Sequence, residues 1–539
     1  MNYLNTVGVK SQASTLVDTY FTSTSMHADM ALNYPWWLRA THFFNFLFIT
    51  LLIRSGLQVL ASHPKLYWSD DALPNTEWLR VGDRERETDI EKDAIVETPD
   101  EDVLWTAEDE VADWPSWFSL PGGDNLGMGR HWHFWGATGW VLTGVLYVFL
   151  LFVAGEWGRF VPTSLAIFSQ AWDALLTYAQ FQVPHVEGYN ALQQLTYFSV
   201  IFVLTPIQIA TGVLIAPALR ANFPNCFGSI RQAARSIHFV GLILFVLFTL
   251  GHTALVGIHG FGPQLAKIVL GSATASHTLA IALTIIGIGA VVAFHVVGTW
   301  GSLRAPMRTK KLLEIGIEPL FKFLFHHHVT VTEDSGRISS FARVNGRPPQ
   351  NDEYRQHVAD DFENWTVEIN GQVENECSFS LAELREMPYR SQRTRHDCIQ
   401  GWTYYAQWGG IPVSELIDRC QPTEDANFAV FWTLDEKWEY GEDGQYDEPH
   451  PDVPEFYYEA IYMDKATEPT TILAYEMNDE DLPIAHGGPL RLRIESQLGY
   501  KMAKWVCGIE FVESLDEVGR GQGGWRDDVL KYHPSTADI

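Results

Sequence analysis

The chain has 539 residues, with 66 Asp and Glu against 37 Lys and Arg, a formal charge of −29. That length predicts more than one folding unit, and that charge excludes a nucleic-acid partner, whose phosphates require a basic face. The five cysteines (Cys226, Cys377, Cys398, Cys420, Cys507) stand far apart, which excludes a C-x-x-C metal site and a dense disulfide framework.

Residues 1–33 are polar, with neither a basic start followed by an apolar core nor a twin-arginine motif, so insertion into a membrane is expected from internal segments. Five apolar stretches, roughly 36–60, 131–154, 193–216, 236–258 and 275–300, each reach the length of about 20 residues that a spanning helix needs. A sixth, "FVPTSLAIFSQAWDALLTYAQF" (160–181), holds Asp173, Gln170 and several hydroxyls, and reads as a helix lying in the interface. Between the first two spans, residues 66–128 include the acidic "ETPDEDVLWTAEDEVADW", expected to be a solvated loop. After the fifth, "RAPMRTKK" opens a linker over 304–328.

From about residue 329 the pattern changes. Strand-like runs such as "WTVEING" and "PLRLRIES" alternate with short helical ones such as "SLAELREM" and "PVSELIDRC". The expected fold class is an all-α transmembrane helical bundle followed by an α+β domain. The expected plan is a polar segment 1–33, a five-span membrane domain 34–303, a linker 304–328, a soluble domain 329–515 and a tail 516–539.

Ionisable side chains within spans mark function. His42 lies near the start of span one, His131 and His133 start span two, and His238 and His252 lie near the two ends of span four. The fourteen residues from His238 to His252 make about 21 Å of helical rise and nearly four whole turns, so both point from one face at different depths. Two haems stacked across a membrane require such a spacing. Alternating span direction then pairs His133 with His238 and His42 with His252, and bis-histidine ligation suits electron transfer because it leaves no open iron position. Taken singly, each histidine also fits a structural or proton-relay role. His131, His259, His277 and His295 lack partners at matching depth and are left as structural, interfacial or quinone-site residues; His326 is assigned no role.

The stretches "LRATHFFNFLFITLLIRSGL", "GRHWHFWGATGWVLTGVLYV", "YNALQQLTYFSVIFVLTPIQIATG" and "IHFVGLILFVLFTLGHTALV" resemble the four spans of the dihaem cytochrome b subunits of formate dehydrogenase, hydrogenase and thiosulfate reductase, over about 34–260. The resemblance implies two haem b and exchange with a quinone or quinol. The fifth span departs from that pattern.

In "RHDCIQGWTYYAQWGG" (395–410) a single thiol, Cys398, sits among aromatic residues. The residues alone leave three roles open: a buried structural thiol, a nucleophile with His396 as its base, or a soft metal ligand. Downstream, "HGGPLRLRIESQLGYKMAKW" (486–505) gathers Arg491, Arg493, Lys501 and Lys504 around glycine turns in an otherwise acidic domain, which points to a site for an anionic cofactor group.

The ordered motifs "FARVNG" (341–346), "HDCIQGWTYYAQWGGIPVSELI" (396–417), "TLDE" (433–436), "HGGPLRL" (486–492) and "GYKMAKWVCGIEF" (499–511) resemble the sulfite oxidase family of molybdenum enzymes, and within it the bacterial methionine-sulfoxide reductase catalytic subunits. The resemblance implies a molybdopterin cofactor with Cys398 as molybdenum ligand and Arg343 beside the reacting centre. It implies Phe341, Asn345, Thr433, His486, Arg491, Lys501, Met502, Ala503 and Lys504 as cofactor contacts. Asn345 stands where a sulfite oxidase has histidine. The short remainder after "GIEFV" is expected to leave no room for an immunoglobulin-like dimerisation domain.

The combined expectation is a membrane-bound, molybdenum-dependent oxidoreductase that performs oxygen-atom transfer on a small oxo-acceptor or oxo-donor substrate and is coupled through two b-type haems to the quinone pool. The alternative is a haem b electron carrier in membrane lipid whose soluble domain binds or senses without catalysis. Arg220, Arg231, Arg235, Arg304, Arg308, Lys310 and Lys311 share one side with the soluble domain, which by the positive-inside rule is the cytoplasm; analogy to the four-span cytochromes gives the outside.

Overall fold

A computed structural model of the chain describes residues 33–73, 75–81, 112–123, 125–180, 182–184, 188–216, 230–325, 336–346, 348–440, 446–449, 454–529 and 537. The expectations for segment 1–32, most of the acidic loop (82–111), Arg220, Cys226 and His326 lie outside the described residues.

The first half is helical. Its elements are α1 (Trp36–Ala61), α2 (Leu126–Val153), α3 (Ile167–Ala179), α4 (Ala191–Ile215), α5 (Arg231–Ile258), α6 (His277–Arg304) and α7 (Pro306–Phe325). Among them α1, α2, α4, α5 and α6 are long and apolar enough to cross a membrane, each at 25 to 28 residues. Apolar side chains on α2, such as Leu142, Val145 and Phe149, face outward, as lipid-facing residues must when no other protein surface covers them. Helix α3 has 13 residues, about 20 Å of rise, too short to span. It buries Ile167, Ala171 and Ala174 on one stripe and exposes Phe168, Trp172, Leu175 and Leu176, the distribution of a helix lying in an interface.

Helix α4 widens to a π-helical turn over Ser199–Leu204, directly before Pro206. Proline lacks an N–H and its ring pushes away the carbonyl one turn back, and a π turn accommodates both effects without breaking the rod.

The second half is built on two sheets. The first has the order β6-β5-β10-β1-β2, from β1 (Thr366–Gly371), β2 (Cys377–Ser380), β5 (Phe428–Glu436), β6 (Phe456–Tyr462) and β10 (Val506–Val512); β10 runs parallel to β1 and the other pairs are antiparallel. The second has the order β8-β7-β4-β3, from β3 (Arg390–Asp397), β4 (Thr403–Pro412), β7 (Ile472–Met477) and β8 (Glu480–Asp481), with β9 (Arg491–Arg493) also paired to β7. Helix α8 (Asp352–Ala359) precedes the sheets, and α9 (Leu381–Glu386) and α10 (Val413–Cys420) connect them, α9 starting in a capping box of Ser380 with Glu383. The α+β class expected for this half is present.

The chain divides into two compact units. One comprises residues 1–53, 136–210 and 238–297, the other 54–135, 211–237 and 298–539. The second unit therefore contains short helical segments together with both sheets.

Candidate functional site

In the second unit β3 and β4 form a hairpin whose register pairs His396 with Tyr404 and Asp397 with Thr403. Cys398 opens the tip. Its N–H donates to the Trp402 carbonyl at 3.0 Å, and the Gly401 N–H donates to the Cys398 carbonyl at 3.0 Å. Gly401 has φ +106°, which a side chain would oppose, so the tight tip depends on glycine there. The thiol is buried in a cluster with Trp402, Tyr404, Trp408 and Leu498, and Ala342 packs against that cluster. Asn345 Nδ2 and Gln400 Oε1 each lie 3.9 Å from Cys398 Sγ.

A cationic wall stands beside the aromatic one. Arg491 is buried, its Nη1 donating to the His486 carbonyl at 2.8 Å and its Nη2 to the Met502 carbonyl at 3.4 Å, and its guanidinium lies 5.0 Å from the Trp408 ring centre. Its Nε has no hydrogen-bond partner and no carboxylate forms a salt bridge with it among the described residues. Burial, followed by the nearby Arg493, draws it down to about 10. Arg493, by contrast, is neutralised by a bidentate pair with Glu495 at 2.7 and 3.0 Å. Lys504 Nζ donates to the carbonyls of Asn345 at 2.6 Å and Ala485 at 3.1 Å, so it joins the 341–346 segment to the turn at His486. Gly487 (φ +112°) lets that turn close against Lys504, since a Cβ would come within 2.9 Å of the lysine side chain.

Two histidines in this wall are held neutral. His396 Nδ1 accepts from Arg493 Nη1 at 2.7 Å, and burial together with Arg493 and Arg491 keeps it well below its ordinary value. His486 is pulled down to about 3 by burial and by Arg491 and Lys504.

The structure thus gathers Cys398, Asn345, His486, Arg491 and Lys504, with Met502 and Ala503 buried on the segment between Arg491 and Lys504. Arg343 is buried two residues before Asn345, its Nη2 donating to Tyr67 Oη and the Ala72 carbonyl, both at 2.8 Å. Phe341 is half-buried at the head of the same segment. Two expected contacts are engaged elsewhere. The Thr433 hydroxyl donates to the Tyr457 carbonyl at 2.7 Å and accepts from the Asp435 N–H at 3.2 Å. The Lys501 ammonium is held by Glu459 and Asp527, at 2.8 and 2.7 Å, and by the carbonyls of Gly523 and Ala460. Its N–H donors are thus engaged within the fold.

The donor set fits a molybdenum pyranopterin. A soft thiol suits the metal, and a buried guanidinium without a carboxylate calls for an anion. The Oδ1 of Asn345 and the Nε1 of Trp408 are further buried polar atoms without a partner among the described residues.

In the first unit the rings of His42 and His252 lie 6.3 Å apart, centre to centre. Two metal–imidazole bonds of about 2 Å each plus the radii of the two rings add up to roughly that separation, so a haem iron fits between them. Tyr197 Oη lies 3.4 Å from His252 Nδ1, and Phe248 stacks on the same ring at 5.6 Å, which fixes its orientation. His238 belongs to this unit, its carbonyl accepting from Gln208 Nε2 at 3.1 Å. His133 belongs to the other, where Ser55 Oγ lies 3.1 Å from its Nδ1. Of the histidines without an assigned role, His259 Nε2 meets Tyr178 Oη at 2.7 Å and His295 Nε2 meets Thr50 Oγ1 at 3.0 Å.

Trp408 was legible in the sequence as one of the aromatic neighbours of Cys398. Sequence reasoning overlooked Tyr67, which carried no signal because its contact with Arg343 spans 276 residues.

Comparison with known proteins bears on both halves. Residues 355–517 match the family described as oxidoreductase molybdopterin binding domain, and residues 33–271 match prokaryotic cytochrome b561. The protein-methionine-sulfoxide reductase catalytic subunit MsrP of Campylobacter jejuni is 30% identical over 151 residues, covering 28% of this chain and 50% of that protein. That of Xanthomonas axonopodis pv. citri is 32% identical over 164 residues, covering 30% of this chain and 48% of that protein. The chain spans about half the length of the curated relatives it matches. The solved sulfane dehydrogenase SoxCD of Paracoccus pantotrophus aligns at 17% identity and a TM-score of 0.23, over 30% of this chain and 45% of that one, which carries no argument.

Proposed function

We propose that this chain, in which residues 33–271 match prokaryotic cytochrome b561 and residues 355–517 an oxidoreductase molybdopterin binding domain, transfers an oxygen atom to or from a small substrate at a centre ligated by Cys398. The balanced half-reaction is X + H2O to XO with two protons and two electrons, or its reverse. When bound, the molybdenum pyranopterin supplies a two-electron couple and the haems supply one-electron steps.

The observation that carries the proposal is that the buried Cys398 thiol shares its Trp408 wall with a buried Arg491 that forms no salt bridge among the described residues. Cys398 offers the metal a thiolate. Arg491 and Lys504 hold the anionic end of the cofactor, with Met502 and Ala503 as the backbone between them. Trp402, Tyr404 and Trp408 exclude water, which strengthens each electrostatic contact at the site. Asn345 presents an amide next to the sulfur, and Arg343 supplies a fixed positive charge for an oxo group. His396 and His486, neutral at pH 7, act as hydrogen-bonding groups.

Two haem b are proposed, one on His42 and His252, supported by the ring separation, and one on His133 and His238, supported by the sequence spacing. Their electron partner is a quinone or quinol, as the cytochrome b561 match suggests. The substrate class is a sulfur oxo compound such as a sulfoxide or sulfite, in keeping with the methionine-sulfoxide reductase relatives. The soluble domain is assigned to the cytoplasmic side on Arg304, Arg308 and Lys311, which are exposed at the end of α6 and on α7. Arg231, Arg235 and Lys310 are buried in polar contacts and add little to that argument.

Metal and haem content of purified full-length protein tests the reading, with one molybdenum and two haems per chain expected. Two haems without molybdenum would instead make the chain an electron carrier. Cys398→Ser is expected to abolish turnover and leave the haem spectrum intact; retained turnover overturns the role of the thiol. A reporter fused after Ile539 decides the side of the membrane.

A further inference from the structure

The hairpin tip that carries Cys398 is held from outside its own sheet. Three side chains in the first turns of α5 reach it, all within the second unit. Arg231 Nη1 donates to Asp397 Oδ1 at 2.9 Å and to Thr403 Oγ1 at 3.2 Å, so one guanidinium grips the residues flanking the tip on both strands. Gln232 Nε2 donates to the Gly401 carbonyl at 2.8 Å, within the tip itself. Arg235 Nη1 donates to Gln232 Oε1 at 3.0 Å and its Nη2 to the His63 carbonyl at 3.2 Å, which orients the glutamine amide. The Gln232 N–H in turn donates to Asp70 Oδ1 at 2.8 Å, tying the start of the helix to the segment after α1.

These contacts are buried and interlocked. Asp397 is fully buried and accepts from Arg231 and Thr403 on Oδ1 and from Arg395 on Oδ2 at 2.6 Å. Gly401 is placed so that a Cβ would fall 3.1 Å from Arg235 Nε, so the Arg235 side chain packs against the tip. None of these three residues lies in the motifs that define the molybdopterin domain, which begins its family match at residue 355.

We propose that Arg231, Gln232 and Arg235 are positioning residues for the Cys398 loop: an apolar helix of the cytochrome half sets where the sulfur of the soluble centre sits. Charge-assisted hydrogen bonds to a buried carboxylate next to the ligand residue restrict the tip to one conformation, and ligand orientation governs the properties of a bound metal. The inference rests on the reading of Cys398 as the molybdenum ligand.

The test uses the full-length, cofactor-loaded protein in membranes, with the molybdenum(V) electron paramagnetic resonance spectrum, turnover and haem absorbance as readouts. Gln232→Leu and Arg231→Met are expected to shift the molybdenum(V) signal and lower turnover by about tenfold or more, the scale of a lost charge-assisted hydrogen bond, with haem absorbance unchanged. Arg231→Lys is expected to restore most of the signal. Arg393→Gln, an exposed arginine on the same strand, is the unaffected control. If Arg231→Met does not fold, Gln232→Leu, which removes the bond to the Gly401 carbonyl and the one accepted from Arg235, carries the test. A wild-type signal in Gln232→Leu and in Arg231→Met alongside a lost signal in Cys398→Ser overturns the positioning role and leaves the ligand assignment standing. A wild-type signal in Cys398→Ser overturns both.

Discussion

The imidazole rings of His42 and His252 lie 6.3 Å apart at an interplanar angle of 51°, with Tyr197 Oη 3.4 Å from Nδ1 of His252. His42 and His252 would hold a haem iron from both sides, and a haem so held would supply one-electron transfer. His42→Ala and His252→Ala should each reduce haem from two to one per chain in a pyridine haemochrome assay, with molybdenum content unchanged. Tyr197→Phe should keep both haems and shift the potential of one, because it removes the partner that orients the ligand ring. Two haems retained in His42→Ala would dismiss the pairing.

Arg491 and Lys501 are both buried cations in the stretch expected to bind phosphate, but the structure gives them different work. Arg491→Gln should lower the molybdenum-to-protein ratio after gel filtration at little cost in thermal stability. Lys501→Met leaves the Asp527 carboxylate buried without its cation, and breaking such a pair costs about 3–5 kcal/mol. That variant should melt well below wild type. Equal loss of molybdenum in both, with equal melting temperatures, would contradict this division.

Glu459 is pushed up to about 8, first by burial, against the pull of Lys501. Its value when unfolded is the ordinary 4.5, so between pH 4.5 and 8 the folded state holds a proton that the unfolded state releases. The contribution is fully present below pH 4.5 and is lost as pH rises through 8. Each pH unit across the window changes stability by up to about 1.4 kcal/mol. Glu459→Gln should flatten the fall in melting temperature between pH 6 and pH 9; an unchanged slope would remove Glu459 as its cause.

His486 is displaced in the other direction, to about 3, and His396 is likewise lowered, in both mainly by burial. A histidine with a depressed folded value contributes stability above its unfolded value of 6.5 and loses it as pH falls toward the folded value. Acid melting between pH 6.5 and 4 should therefore be shallower in His486→Gln than in wild type. Turnover of the wild type should show no inflection near pH 6.5 from either ring. An inflection there that disappears in His486→Gln would show that the ring titrates in the working enzyme.

The limits of sequence reading show clearly at α5. Apolar periodicity placed its start near residue 236, whereas the helix begins at Arg231. The missing turns are "RQAARS", polar because they meet Asp397, Gly401 and His63 in the second unit and not lipid. Hydropathy cannot distinguish a buried polar contact from solvent exposure, since both select the same side chains. For that reason Arg231 and Arg235 entered the sequence reading as topological charge and leave it as structural partners of the cysteine loop.

Composition, hydrophobic length and ordered motifs were sufficient for the five long apolar helices, the α+β half and the two cofactor classes, because each is written locally: about 20 apolar residues, alternating strand patterns, a cysteine motif. Which buried cation is left without a carboxylate among the described residues was not local. Arg491 and Lys501 look alike in sequence, and only the approach of Asp527 and Glu459, which lie 26 and 42 residues away along the chain, separates one from the other. The same holds for the hold of α5 on the Cys398 loop, across a sequence separation of 166 residues between Arg231 and Asp397. Burial makes an unpaired charge costly wherever it lies along the chain, so which charge stays unpaired is decided by folding alone.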